Sequence, residues 1–344
     1  MCFPPQSLRR NLKGHAVQSS ILGKTGFTIS AIGQGCWQFG GDWGDVGDDA
    51  ARGVLHTAAD HGVTFFDTAD VYGDGHSEEL VGAFLRERSG DKFVVATKLG
   101  RRATPFAVET FTRENIRLWT ERSLRNLGVE TIDLTQLHCP PTEVFSTPSV
   151  FEALDELVDD GLIRNYGVSV ETVEEALAAL QYPGVATIQI ILNVFRRKPL
   201  ERVLTAAKDA GVGIIARVPL ASGLLTGRFT AETEFASTDH RTFNRHGESF
   251  DQGETFSGVP YEVGVEAARE FAELVPDGVT PAQFALRWIL DQDGVSTAIP
   301  GASTPNQALG NAAAADLPPL TGAQLAALED LYDRKIREHV HSRW

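Results

Sequence analysis

Cysteine and methionine are scarce in this chain: three and one, respectively, among 344 residues. Cys2, Cys36 and Cys139 stand far apart, with no short-spaced pair. That spacing excludes a disulfide framework and a cysteine-based zinc site. Cys36 and Cys139 sit in apolar contexts and read as buried free thiols. Basic charge is also short, with 31 Lys and Arg against 46 Asp and Glu and a net charge of −15. Nucleic-acid backbones demand a basic surface, so nucleic acid is excluded as a partner. No apolar run approaches the roughly 20 residues that a bilayer-crossing helix needs, so no membrane partner is expected. The opening MCFPPQSLRRNLKGHAVQSS lacks the apolar core of a signal peptide. Residues 1–20 therefore read as a disordered extension, residues 21–344 as a single domain, and the location as cytoplasmic. Oligomeric state is not legible in a single chain.

What is present is an alternation. Ile21 to Ile29 reads as a hairpin around Lys24, Thr25 and Gly26. Strands are expected at Ser30–Phe39, from Val63 through Phe65 and Phe66, and at Lys92–Leu99, Ile132–His138, Ile163–Val170, Ala186–Val194, Val212–Leu220 and Val295–Pro300. Helical spacing recurs between them: Asp48–His61, Ser77–Arg86, Thr112–Leu127, Pro148–Val158 with Thr147 as its cap, Val173–Leu180 and Leu200–Ala210. Ala221 to Val263 has no period and many polar positions, and loops of that length in a compact domain are usually functional or mobile. Helices resume at Gly264–Leu274 and Pro281–Leu290, with others from Pro305 and Ala323. Eight strands with helical crossovers predict a (β/α)8 barrel, preceded by a hairpin and followed by extra C-terminal helices. An open doubly wound sheet is the weaker choice. Gly33 and Gly35 match the first two glycines of its phosphate turn, but the third is missing and no helix begins there.

In such barrels active groups gather at the C-terminal strand ends. Asp67 ends the second strand, with Tyr72 on the loop beyond it; Lys98 ends the third and His138 the fourth. Each alone has a bland reading as a solvated or structural residue. Together they have a chemical logic. A phenol titrates near pH 10 and a neighbouring ammonium lowers that value. Lys98 would supply the ammonium, Asp67 would pair with it, and His138 would donate to a carbonyl oxygen. The result is an acid for an oxygen gaining negative charge. Such an acid reduces nothing without a hydride donor, hence a nicotinamide cofactor.

FFDTADVYGDGHSEELVG, VVATKLG and DLTQLHCP resemble the signature, lysine and histidine segments of the aldo-keto reductase family. GCWQFGG, GVSV, TIQIILNV, VPLASGLLTGRF and IPGASTPNQALGN resemble its other segments in order, from about Ile21 to Asn311. The resemblance implies a carbonyl reductase with Tyr72 as proton donor, Lys98 and Asp67 tuning it, and His138 binding the carbonyl. It implies NADP(H) ahead of NAD(H), extended across the barrel mouth. Gly35, Cys36, Trp37 and Asp67 would lie by the nicotinamide, whose carboxamide Ser169 and Gln189 would hold. Pro219, Leu220, Gly223 and Arg228 would border the pyrophosphate. Gly301, Ser303, Gln307 and Asn311 would hold the adenosine end, where Thr304 and Pro305 begin a helix suited to a phosphate. No metal is implied, and His339 and His341 read as a polar tail.

The chain departs from the family pattern at three points. Val170 stands where an Asn is usual. Arg217 replaces a stacking aromatic, so a positive charge beside the ring is expected to weaken binding of the oxidised cofactor. Ser303 and Thr304 stand where Lys or Arg often meets the 2′-phosphate, and Arg241 or Arg245 would have to fold over to replace them. Trp119 and Trp288 read as packing; Trp43, in a loop near the mouth, is open between packing and substrate contact. The partner is a small carbonyl or, in reverse, a sugar or polyol. A nicotinamide-binding redox-sensing regulatory subunit is the rival from another class.

Overall fold

Val185–Ile191 is buried at every position. A strand achieves this only between a filled interior and a covering layer of helices. The computed structural model, which describes residues 9–10, 16–44 and 46–344, has eight strands in one all-parallel sheet in chain order. They are β1 Gln34–Gly35, β2 Phe65–Asp67, β3 Val94–Leu99, β4 Ile132–His138, β5 Ile163–Ser169, β6 Val185–Ile191, β7 Gly213–Arg217 and β8 Val295–Ala298. Parallel bridges Ile32–Ala298 and Gly35–Gly301 join the first strand to the last. Gly33 N–H donates to Ala298 O at 2.8 Å and Gly35 N–H to Pro300 O at 3.1 Å. The sheet is thus a closed (β/α)8 barrel. At this seam a Cβ on Gly35 would lie 2.8 Å from Ile299 O, so only glycine fits.

The hairpin pairs Ser19–Ile21 with Thr28–Ser30, starting two residues before the expected Ile21. It closes the N-terminal end of the barrel: Leu22 and Ile29 pack with Phe65, Ala96, Leu134, Ile215 and Ile299 in one buried apolar cluster. The expected disorder of residues 1–20 falls largely outside the described residues; within that span Arg9–Arg10 pairs antiparallel with Ala16–Val17.

Helix positions follow the apolar spacing closely. Arg113–Leu127 is capped by Thr112 and stopped by left-handed Gly128, and Pro281–Leu290 carries a full capping box. Three expectations are corrected. The first strand is only Gln34–Gly35, because the chain turns into a 3-10 segment at Trp37–Gly40 closed by Gly41 at φ 90°. Thr147 precedes its helix without capping it; its hydroxyl donates to Glu143 O instead. The helix expected from Gly264 runs Tyr261–Glu273. The aperiodic stretch before it is a chain of short turns, Ala221–Thr226, His240–Phe243, Gln252–Glu254 and Phe256–Gly258. Among the described residues no helix is long and apolar enough to cross a membrane.

Candidate active site

Strand side chains two apart face the same way, so at the C-terminal end β2 and β3 send Asp67 and Lys98 inward and β4 sends Gln136 and His138. Lys98 Nζ donates to Asp67 Oδ1 at 2.5 Å, to Thr68 O at 2.7 Å and to Tyr72 Oη at 3.2 Å. The other Asp67 oxygen accepts from Gln136 Nε2 at 3.1 Å and Gln189 Nε2 at 2.8 Å. A buried ion pair is tolerable only with such satisfied lone pairs. His138 is buried beside Tyr72, ring centres 5.8 Å apart and nearly perpendicular, and its Nδ1 has no protein partner. Trp37 lies parallel to Tyr72 at 6.1 Å.

Burial raises the Tyr72 phenol to about 12; Lys98 opposes this without overcoming it. The net lowering of the phenol expected from sequence is therefore corrected: Tyr72 is a fully protonated phenol at neutral pH. Burial works against the Lys98 ammonium, but Asp67 and Tyr72 outweigh it and hold its pKa above the ordinary lysine value. Burial, with Arg101 and Lys98, drives His138 well below the usual imidazole range. A neutral imidazole keeps one N–H to donate.

A second polar cluster flanks the first. Arg217 Nη2 lies 2.8 Å from Glu171 Oε2 and Nη1 lies 3.7 Å from Glu254 Oε1; Arg101 Nη1 donates to Glu254 Oε1 at 2.8 Å. Burial opposes the Glu254 charge, but Arg101 and Arg217 hold it far below the carboxylate range, while burial pushes Glu171 up. Arg217 also donates to Val170 O at 3.0 Å. Arg217 thus meets the cavity as part of a cluster with Glu171 and Glu254. Cys139, Glu171 and Glu254 bring ligand atoms within 4.8 Å of one another, but the two guanidinium groups already satisfy that charge.

Both clusters open on one cavity of about 730 Å3. Its reactive end is bordered by Trp37, Trp43, Tyr72, His138 and Glu254. Trp43 and Trp37 pack edge to face at 5.4 Å and both meet the buried His240, at 4.5 and 4.8 Å, so Trp43 both packs and faces the cavity. Of the expected cofactor residues, Gly35, Cys36, Trp37, Asp67, Gln189, Arg217, Pro219, Leu220, Gly223, Arg228, Gly301, Ser303, Gln307 and Asn311 border the cavity. Ser169 lies behind it, its hydroxyl 3.5 Å from Cys139 Sγ, and Lys98 is sealed beneath Tyr72. Arg241 is held bidentately by Asp239, at 2.6 and 2.8 Å, and meets the cavity beside Gly223. Arg245 stacks over Tyr261 at 4.7 Å. Arg241 thus shares the cavity with Ser303 and Thr304, whereas Arg245 does not border it.

The sequence profile of the Aldo/keto reductase family matches residues 31–333. The chain belongs to the aldo/keto reductase family. With that family it is an NAD(P)-dependent oxidoreductase acting on carbonyls. It is 33% identical over 304 residues to the aldo-keto reductase YhdN of Bacillus subtilis, covering 85% of this chain and 86% of that protein. The glycerol dehydrogenase AKR11B4 of Gluconobacter oxydans superposes with a TM-score of 0.75 at 32% identity, over 94% of this chain and 96% of the other. An aldo-keto reductase of Klebsiella pneumoniae solved with NADPH gives 0.68 at 26% identity, over 92% and 95%.

Against this aldo/keto reductase frame, sequence reading missed Gln136, Arg101, Glu171 and Glu254. Gln136 could have been found, since it sits two residues before His138 on the same strand and shares its inward face. Glu254 had no comparable signal: it arrives on an aperiodic loop.

Proposed function

We propose that this chain is an NADPH-dependent reductase of small aldehydes and ketones in which Tyr72 is the proton donor. The observation that carries the reading is the chain of contacts Asp67–Lys98–Tyr72 beside a neutral His138, at the mouth of a closed barrel. A carbonyl oxygen lying between Tyr72 Oη and His138 would accept two hydrogen bonds. As that oxygen gains an electron pair it becomes a stronger base than the phenolate, and the Tyr72 proton moves to it. Lys98 stabilises the phenolate left behind, and Asp67 keeps Lys98 charged.

The nicotinamide dinucleotide supplies the hydride when bound. The residues fit such a group. Ala221, Ser222 and Gly223 have successive positive φ values of 48°, 53° and 99°, which makes the kind of concave backbone turn that holds anions. Next to the seam, a Cβ on Gly301 would lie 1.9 Å from Gln38 Oε1, so glycine there lets the Gln38 amide pack against the backbone at the cavity wall. Gly35, Cys36, Trp37 and Gln189 would hold the nicotinamide end; Ser169, expected beside Gln189 at the carboxamide, instead lies with its hydroxyl 3.5 Å from Cys139 Sγ and does not border the cavity. Pro219, Leu220, Gly223 and Arg228 would border the pyrophosphate, and Gly301, Ser303, Gln307 and Asn311 the adenosine. Preference for NADPH is supported by the Klebsiella neighbour solved with it. Likeness to a glycerol dehydrogenase supports the reverse reaction on a polyol at this same site.

The test follows NADPH and NADH absorbance with a reactive aromatic aldehyde, and with glycerol and NADP in reverse, for wild type and Tyr72→Phe. Loss of one general acid is expected to lower kcat by about 10²–10⁴ while NADPH still quenches tryptophan fluorescence. Undiminished turnover in Tyr72→Phe would remove Tyr72 from the mechanism. Cofactor binding without turnover on a broad carbonyl and polyol panel would favour the redox-sensing reading.

A further inference from the structure

Val218 has φ 50°. A β-branched residue in that region is a true conformational outlier, and such a conformation persists only where its surroundings over-determine it. The group that does so here is Asn193, fully buried just past β6. Its Nδ2 donates to Val218 O at 2.9 Å and to Ser257 Oγ at 2.8 Å, while its Oδ1 accepts from Phe195 N–H at 2.8 Å. The Ala221 N–H also donates to Val218 O, at 3.1 Å. Val218 O is thus the hub of the turn that carries Pro219, Leu220, Ser222 and Gly223 into the cavity wall. Asn193 itself does not border the cavity. The segment opposite is left-handed too, with Phe256 at φ 53° and Ser257 at φ 59°. Ser222 Oγ ties the two segments, donating to Glu254 O at 3.1 Å and accepting from Phe256 N–H at 3.0 Å.

We propose that Asn193 is a positioning residue for the dinucleotide: its bond to Val218 O holds the strained turn in the shape that receives the pyrophosphate. Without it Val218 relaxes to negative φ, the peptide between Val218 and Pro219 reorients, and the turn leaves its binding shape. The inference rests on reading this cavity as a nicotinamide dinucleotide site. The strain is located on one residue, so the role can be separated from general support of the fold. Glycine adopts positive φ without penalty, so glycine at position 218 should make Asn193 dispensable.

The experiment measures NADPH dissociation constants by tryptophan quenching, and kcat at saturating NADPH. Asn193→Asp keeps the acceptor for Phe195 N–H and loses the donor to Val218 O. Its dissociation constant is expected to rise at least about tenfold, the scale of one strained residue, with kcat changed much less. Ser257→Ala, which cuts only the other bond, should bind NADPH like wild type. Adding Val218→Gly to Asn193→Asp should restore most of the lost affinity. Should Asn193→Asp not fold, Asn193→Ala is compared with its parent in a Val218→Gly background, where equal affinities are expected. Unchanged binding in Asn193→Asp, an equal loss in Ser257→Ala, or a loss that Val218→Gly fails to relieve would each overturn the proposal. A wild-type protein that does not bind NADPH would instead overturn the reading of the cavity.

Discussion

The two ends of the barrel interior are built from the same strands, two residues apart. Phe65, Ala96, Leu134 and Ile215 fill the end closed by the hairpin. Asp67, Lys98, Gln136 and Arg217, one inward step further along β2, β3, β4 and β7, border the mouth or lie just beneath it. The strand period decides only which way a side chain points; whether that position carries a hydrocarbon or a charge is free. At the closed end Phe65, Ala96, Leu134 and Ile215 are apolar, and packing stabilises them. At the mouth, charges are taken out of water and are tolerable because each has partners. One end supplies stability, and the other uses it.

The strongest way to break this contrast is Lys98→Met. It leaves the Asp67 carboxylate buried with only Gln136 and Gln189 as donors, and removing one partner of a buried pair costs about 3–5 kcal/mol. Loss of the stabilising ammonium should also lower carbonyl turnover by about 10² or more. Urea unfolding together with steady-state rates reads both. A variant that kept stability and activity would show that the mouth does not depend on its ion pair.

At the floor, Leu134→Ala should cost about 2–5 kcal/mol by transfer and cavity terms, while kcat well below the melting temperature stays within about twofold, since Leu134 supplies no polar contact to the mouth. An activity loss without a stability loss would merge the two ends into one functional unit.

The smallest effect is on pH. Burial depresses the His240 imidazole to about 4, with Arg241 adding to the effect and Asp239 and Glu254 opposing it. The unfolded imidazole, near pH 6.5, binds a proton that the folded one refuses. This contribution is full above about pH 6.5 and is lost as the pH falls toward 4. Asp70 and Glu171, pushed up by burial, act in the opposite sense. The comparison is therefore wild type against His240→Gln: between pH 7.5 and 5.5 the melting temperature of wild type should fall more. Parallel curves would place the imidazole in contact with water.

The sequence carried the barrel because each strand and helix is short, separately signalled and in order. Ile132–His138 matches the expected strand, and Arg113–Leu127 its helix up to the cap. The grouping of Asp67, Tyr72, Lys98 and His138 had a local signal for the same reason: Asp67 and His138 close strands, Lys98 is one residue from the end of another, and Tyr72 follows one. What was not legible depends on tertiary charge and backbone shape. Glu254 gains its partners from β7 and from the loop after β3, and nothing near it in sequence announces either. The raised Tyr72 pKa reflects burial, which no motif states. Asn193 lies within TIQIILNV, yet its partners Val218 and Ser257 lie far along the chain.

The hairpin has one more consequence, for traffic. With Leu22 and Ile29 filling the floor, the barrel interior is packed shut at that end among the described residues. Whatever reaches Tyr72 leaves through the passage by which it arrived. Under the proposed function, substrate and product would contend for the same doorway, and accumulated product would slow turnover by standing in it.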